Sequence, residues 1–276
     1  MDFRAVGAVA GQELRINIRN RWVLSFAVVF AVLTLAISYF GMVTSAVVGF
    51  QSFTRTSASL LNLVLYLVPL VSLTMSALSF TGDRGYIELI FSQPVTRTEV
   101  LLGKLAGLVM SFAAATFFGF GISGFVVAWN SGTEGMARFL TLVCLTLVLA
   151  VVFAGLGALV AIVAESRNKA FVTVLALWFF FVLFYDLMVI GGALLLKQRT
   201  ANLLVFLSLF GNPVDLARVS SLIALGGATI FGAAGSALLK FLGGGVASFA
   251  MLCGALIFWS IVPVLLARFA LQRRDV

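Results

Sequence analysis

Charged side chains are excluded from this chain in long blocks. None occurs in 22–54, 56–82, 105–133, 139–164, 170–185 or 241–267. Five of these blocks can hold the ~20 apolar residues that cross a bilayer core as one helix, and the shorter 170–185 reaches that length by running past Asp186. A soluble domain spreads charge along its whole length, at about 25% of residues. Here 62% of the 276 residues are hydrophobic and 10% charged, too few charges for a water-facing surface. In lipid every backbone amide must be satisfied within its own segment or a closed barrel, and runs of this length select helices. The expected fold is an all-α integral membrane protein with six spans, at 22–43, 60–80, 105–128, 139–164, 171–196 and 246–271. No short apolar stretch ending in a small-residue cleavage site opens the chain, so no removable signal peptide is expected.

Basic residues set the expected orientation. With the N-terminus in the cytoplasm, the inner segments hold twelve Lys and Arg, while the short outer loops hold two, Arg55 and Arg138. Both termini are therefore expected on the cytoplasmic side. The net charge of +8 is accounted for by anionic headgroups and needs no nucleic-acid partner. The uncharged run 219–239 is rich in Gly and Ala, which insert weakly. It is expected to be a re-entrant or outer-surface element within one long loop, 197–245.

Enzymatic motifs are absent. The chain has no histidine, which removes HExxH sites and Ser–His pairs. Cys144 and Cys253 sit alone inside spans, and no two methionines are spaced to share a soft metal within one helix. No metal site is expected. Nor is there a GxxxxGK[ST] loop, so any ATP and its Mg²⁺ would be bound by another chain.

Small residues recur every four positions at Gly107, Ser111, Ala115, Gly119 and Ser123, and again at Ala150, Ala154 and Ala158. Such stripes let helices approach closely, either within one subunit or between two copies. Asp186 is the one charge well inside a span, where an ionisable group is costly. It either lines a polar cleft, with Asn62 as a candidate partner, or holds two helices together.

Six charges interrupt the apolar rhythm in 83–104. Pro94 divides that stretch, because it cannot continue a helix and biases Gln93 toward extended geometry. Upstream, Arg84, Glu88 and Ser92 share one face of a short helix that needs packing to persist. Downstream, Thr96-Arg97-Thr98-Glu99 reads as a capping box opening the third span. At the N-terminus, Phe3, Val6, Ala10, Leu14 and Ile18 form an apolar stripe on a basic helix suited to the interface.

The run Arg84-Gly85-Tyr86-Ile87-Glu88-Leu89-Ile90, then Ser92-Gln93-Pro94-Val95-Thr96-Arg97 and Leu102-Gly103-Lys104, resembles the cytoplasmic coupling-helix segment of ABC-2 type transporter permeases. Gln12-Glu13-Leu14 with Arg19-Asn20-Arg21-Trp22 is similar to that family's elbow helix. The resemblance implies a type V exporter-like layout: an elbow helix over 1–21, and a transmembrane domain over 22–276 that includes a cytoplasmic coupling segment over 81–104. It implies a non-catalytic subunit that works with an ABC ATPase pair and a second copy of itself. ATPase contacts would fall on Arg84, Gly85, Glu88, Pro94 and Arg97.

Asn212-Pro213-Val214-Asp215-Leu216-Ala217-Arg218, with Tyr185-Asp186-Leu187, resembles more narrowly the permeases of nitrous oxide reductase maturation, which serve assembly of a copper–sulfur site. That resemblance implies a periplasmic β-helical partner docking at Asn212, Pro213, Asp215 and Arg218. From the residues alone, Asn-Pro starts a turn and Asp215 is expected to cap the helix that follows. Asp215 and Arg218 are expected to form an exposed pair. The alternatives are a generic ABC-2 exporter of lipid, glycan or drug-like molecules and a secondary transporter.

Overall fold

The computed structural model describes residues 2–48, 53–81, 95–131, 133, 135–164, 166–226 and 243–273. These are helical with no strand among them. In chain order they form α1 (Phe3–Ile18), α2 (Arg21–Val48), α3 (Phe53–Phe80), α4 (Arg97–Ser131) and α5 (Met136–Val163). Then α6 (Arg167–Phe179), a π-helical segment (Phe180–Phe184) and α7 (Tyr185–Leu194) run on as one span. Next come α8 (Gln198–Ser208), a 3-10 turn (Leu209–Gly211), α9 (Pro213–Gly226) and α10 (Gly245–Arg273). Six helices are long and apolar enough to cross a membrane, and they match the six charge-free blocks.

The described ends of the chain lie on one face of the bundle. The Asp2 amide donates to Glu99 Oε1 at 2.6 Å, and Arg97 Nη1 donates to the Leu271 carbonyl at 3.1 Å. Lys104 Nζ reaches the Ser79 carbonyl at 2.7 Å. The start of α1, the end of α3, the start of α4 and the end of α10 therefore meet at what we call the terminal face. The far face carries the start of α5.

The third span begins eight residues before its apolar stretch. Thr96 Oγ1 accepts from the Glu99 amide at 3.3 Å while Glu99 Oε2 accepts from the Thr96 amide at 2.8 Å. This reciprocal cap starts α4 at Arg97. With 35 residues, α4 is about 52 Å long at 1.5 Å per residue. That exceeds the ~30 Å hydrocarbon layer, so part of α4 stands clear of it.

The small-residue stripes are seams inside one subunit. Along α4, Gly107 abuts α1, a Cβ on Gly119 would meet the Phe30 ring at 2.6 Å, and Thr34 Oγ1 donates to the Gly119 carbonyl at 3.1 Å. Ser123 bonds Ser38. Thus α1 and α2 lie one after the other along the same face of α4. On α5, Ala154 and Ala158 are fully buried, and Ser76 Oγ of α3 donates to the Ala154 carbonyl at 2.6 Å. Close backbones replace the hydrophobic drive that lipid does not supply.

Aromatic edges knit the seams together. Phe30, Phe120 and Phe139 link α2, α4 and α5 through T-shaped contacts at 5.3 and 5.6 Å. Phe153, Phe181 and Trp259 do the same for α5, the π-helical segment and α10, at 6.0 and 5.8 Å.

The first helix turns Ala10, Glu13 and Asn17 inward against the bundle, while Phe3 and Ile18, at the two ends of the apolar stripe, face outward.

Candidate functional site

The sequence Gly211-Asn212-Pro213 folds as a hinge. Proline has no amide hydrogen and its φ suits the first helical position, so α9 begins at Pro213. The residue before proline is held extended, and Asn212 sits at φ −125°, ψ 112°. From there Asn212 Oδ1 accepts the Val214 amide at 3.0 Å, while the Asn212 carbonyl accepts the Leu216 amide at 3.0 Å. Asn212 is therefore the cap, not Asp215 as expected. Asp215 stands within the first turn, where an acidic group favours the helix N-terminus.

The helices on either side of the hinge are bent by 100°. Asn212 Nδ2 donates to the Phe181 carbonyl at 2.9 Å, and Trp259 Nε1 donates to the Phe210 carbonyl at 2.9 Å. At 1.5 Å per residue, Phe181 lies about 20 Å below Leu194, and Trp259 about 21 Å below Gly245. Two separate spans thus place the hinge at similar depth from the far face. On the return limb, the Leu225 carbonyl accepts Arg138 Nη1 at 3.1 Å, back at the first turn of α5. The pair α8–α9 goes in and comes out on one side: it is a re-entrant hairpin. This places 219–226 on the ascending limb; 227–242 lie outside the described residues.

The π-helical segment makes the hinge contact available. Tyr185 N–H bonds the Phe180 carbonyl, five residues back, rather than that of Phe181. The Phe181 carbonyl, released from its usual helical partner, accepts Asn212 instead, a substitution of the kind π-bulges provide. Tyr185 Oη also donates to the Ser208 carbonyl at 2.6 Å, satisfying the end of α8. A Cβ at Gly211 would collide with that hydroxyl, so the position needs glycine.

Charge gathers at the same level. Arg218 Nη1 lies 3.0 Å from Asp186 Oδ2 and 2.8 Å from Asp215 Oδ1. Asp215 Oδ2 accepts Asn212 Nδ2 at 2.9 Å. One guanidinium thus serves two carboxylates on different elements, α7 and α9. The expected exposed pair is instead a partly buried triad, with side-chain exposure of 14% at Asp215, 30% at Arg218 and 35% at Asp186. Removing charges from water so near lipid demands such pairing. Asp186 takes Arg218 rather than Asn62, which is exposed on α3.

Asn212, Pro213, Asp215, Arg218 and Asp186 are therefore brought together, and Asn62 is not among them. Arg97 is occupied at the terminal face with the Leu271 carbonyl. Arg84, Gly85, Glu88 and Pro94 lie outside the described residues. Trp259 goes unmarked in the sequence, although an indole N–H in mid-span signals a buried acceptor, and Arg138 is marked there only as an outer-loop charge. Among the described residues no three of His, Cys, Asp and Glu converge as metal ligands.

Because Asn212 is fully buried and holds both limbs, Asn212→Ala is expected to cost about 1–3 kcal/mol, the usual range for orphaning buried polar partners. Thermal unfolding in detergent measures it; an unchanged midpoint would mean that the hinge is held elsewhere.

The arrangement fastens a hairpin at mid-depth to α7 and the π-helical segment by hydrogen-bonded charge, and to α10 by an indole. Comparison with known proteins agrees with a transport role. A family model described as "ABC-2 family transporter protein" matches residues 7–276. The chain is similar to the "Probable ABC transporter permease protein NosY" of Pseudomonas aeruginosa, 33% identical over 223 residues, covering 79% of this chain and 81% of that protein. It is also similar to the protein of the same description from Stutzerimonas stutzeri, 33% identical over 277 residues, covering 96% and 97%.

Proposed function

The chain belongs to the ABC-2 transporter family, and from that premise we propose that it turns ATP hydrolysis by a separate ATPase pair into movement at the far face. The terminal face is then cytoplasmic, in a bacterial inner membrane, and 82–94 meets the ATPase. ATP and Mg²⁺ sit on that partner, and two copies of this chain complete the transporter. Its self-association surface differs from the small-residue seams, which are filled within the subunit. The weakly buried spans Arg167–Leu194 and Gly245–Arg273, each with 17% of its apolar window inside the bundle, leave room for a second copy.

The observation that carries this reading is the triad of Arg218, Asp186 and Asp215. It joins a span to the re-entrant hairpin, so displacement of α7 moves the far-face element with it. We assign the output to copper-site maturation of nitrous oxide reductase, with a periplasmic β-helical protein standing on 197–245. Likeness to permeases bearing the NosY description supports this. Export of a lipid, glycan or drug-like molecule through the same machine is the second reading; it needs no periplasmic partner.

Glu88→Arg tests the coupling. The purified permease alone is expected to hydrolyse no ATP, and reconstitution with its ATPase to restore hydrolysis and maturation. Glu88→Arg should leave membrane levels unchanged while abolishing maturation. Normal maturation by a stably inserted Glu88→Arg protein defeats the assignment of 82–94 as the coupling segment.

A further inference from the structure

A second polar junction lies at the terminal face, buried more deeply than the first. Glu13 of α1 is 4% exposed and Lys104 of α4 is 5% exposed. Lys104 Nζ stands 4.0 Å from Glu13 Oε2 and donates to the Ser79 carbonyl at 2.7 Å. Ser79 Oγ donates to Glu13 Oε1 at 2.6 Å, and Asn17 Nδ2 adds a bond to the same oxygen at 3.1 Å. The Phe80 ring lies 5.2 Å from the ammonium. Charges this buried persist only when paired and hydrogen-bonded, and here three helices supply the partners.

Two glycines make the approach possible. A Cβ on Gly103 would meet Val9 Cβ at 2.6 Å, and one on Gly107 would meet Glu13 Cβ at 2.6 Å and the Ala10 carbonyl at 2.7 Å. The first turn of α1 is tied in as well, since Glu99, which caps α4, also accepts the Asp2 amide. Thus α1 is clamped along the opening turns of α4 and against the last turn of α3. Those are the two helix ends between which 82–94 is strung.

We propose that Glu13, Ser79 and Lys104 are positioning residues that lock the two ends of the ATPase-facing segment to α1, so that its displacement moves α2, α3 and α4 as one body. This rests on the function proposed above and deepens it. Gly103 and Lys104, which the family resemblance groups with the coupling stretch, serve as the receptor for α1 rather than as a contact for the ATPase. Slack between the ends of α3 and α4 would let the segment move without the spans. A Lys104–Ser79 bond removes that slack, and Glu13 fixes both partners to a third helix.

The test uses the assembled complex of this permease with its ATPase. Spin labels at Leu194 and Val246, exposed at 81% and 86% near the far face, report the distance between α7 and α10 with and without ATP. The unaltered complex is expected to show an ATP-dependent shift. Glu13→Gln, which keeps acceptors for Ser79 and Asn17 but removes the charge, is expected to abolish the shift while assembly and ATP hydrolysis persist. Ser79→Ala, which removes one hydroxyl and no charge, is expected to diminish it and carries the same test should Glu13→Gln not accumulate. A full shift in both variants overturns the clamp. A merely structural role would lower the yield of complex and leave the shift per complex intact. Absence of any shift in the unaltered complex refutes instead the transmission reading on which the clamp rests.

Discussion

Arg218→Ala is expected to destabilise the detergent-solubilised protein by about 2–3 kcal/mol and to silence the far-face output. The substitution leaves Asp186 and Asp215 sharing a partly buried site with no counter-charge. Removing one partner of a fully buried pair typically costs ~3–5 kcal/mol. The value here is set lower because Arg218 and Asp186 retain 30% and 35% side-chain exposure. Two further variants isolate the cause. Adding Asp186→Asn to Arg218→Ala should recover part of the loss, since one of the two repelling carboxylates disappears. Arg218→Lys should fall between, as an ammonium keeps the charge but, on a shorter and differently shaped side chain, not the placement of Nη1 between both carboxylates. Exchange of Asp215 and Arg218 is expected to be harsh. A solvated pair would tolerate it at ~1 kcal/mol or less, but here it sets an aspartate at 218 against Asp186. Thermal unfolding that ranks the exchange with neutral surface changes would remove the triad from the hinge.

The bundle was legible because charge is so costly in lipid that its absence marks the spans. The capping box at Thr96 and Glu99 was equally legible, since its partners are three residues apart. Asn212-Pro213 announced a hinge for the same local reason, though the cap fell to Asn212 once proline took the first helical position. What could not be read is what depends on distant partners. Glu13 looked like one acid on a basic interfacial helix; its cation is Lys104, on another span. Asp186 had several conceivable partners, and only the 100° bend of the hairpin brings Arg218 to it. The π-helical segment at Phe180–Phe184 carries no composition signal, yet it frees the carbonyl that Asn212 takes. Re-entry of the hairpin could not be read because neither limb is long enough to span, and the Phe181 carbonyl and Trp259 indole that hold the hinge at depth lie on other spans.

Gly157→Ala should destabilise the protein although alanine favours helix. A Cβ at this position would stand 2.6 Å from the Leu73 carbonyl, 2.9 Å from Ser76 Cβ and 3.2 Å from Leu73 Cα. Two of those atoms belong to the α3 backbone, which cannot swing aside as a side chain can. The helices must separate where Ser76 Oγ holds the Ala154 carbonyl at 2.6 Å, so the overlap also strains that bond. Overpacking of this kind costs about 1–3 kcal/mol, and Gly157→Leu should exceed it or prevent accumulation. At Gly121 nothing lies within 4 Å of the new Cβ. There alanine should instead gain about 0.5–1 kcal/mol from reduced chain entropy. Gly119→Ala belongs between them: its obstacle is the Phe30 ring, a side chain, but one fully buried against Phe120. The opposite signs at Gly157 and Gly121 make unfolding midpoints decisive. Equal midpoints for the two variants would mean that α3 and α5 are not in backbone contact. The seam also bears on transmission, because α3 ends at Ser79 and Phe80, beside the coupling segment. Spreading α3 from α5 should weaken movement passed toward α10, which meets α5 at Gly155 while α3 meets it at Gly157. Gly157→Ala is therefore expected to lower far-face output more than it lowers the amount of folded protein.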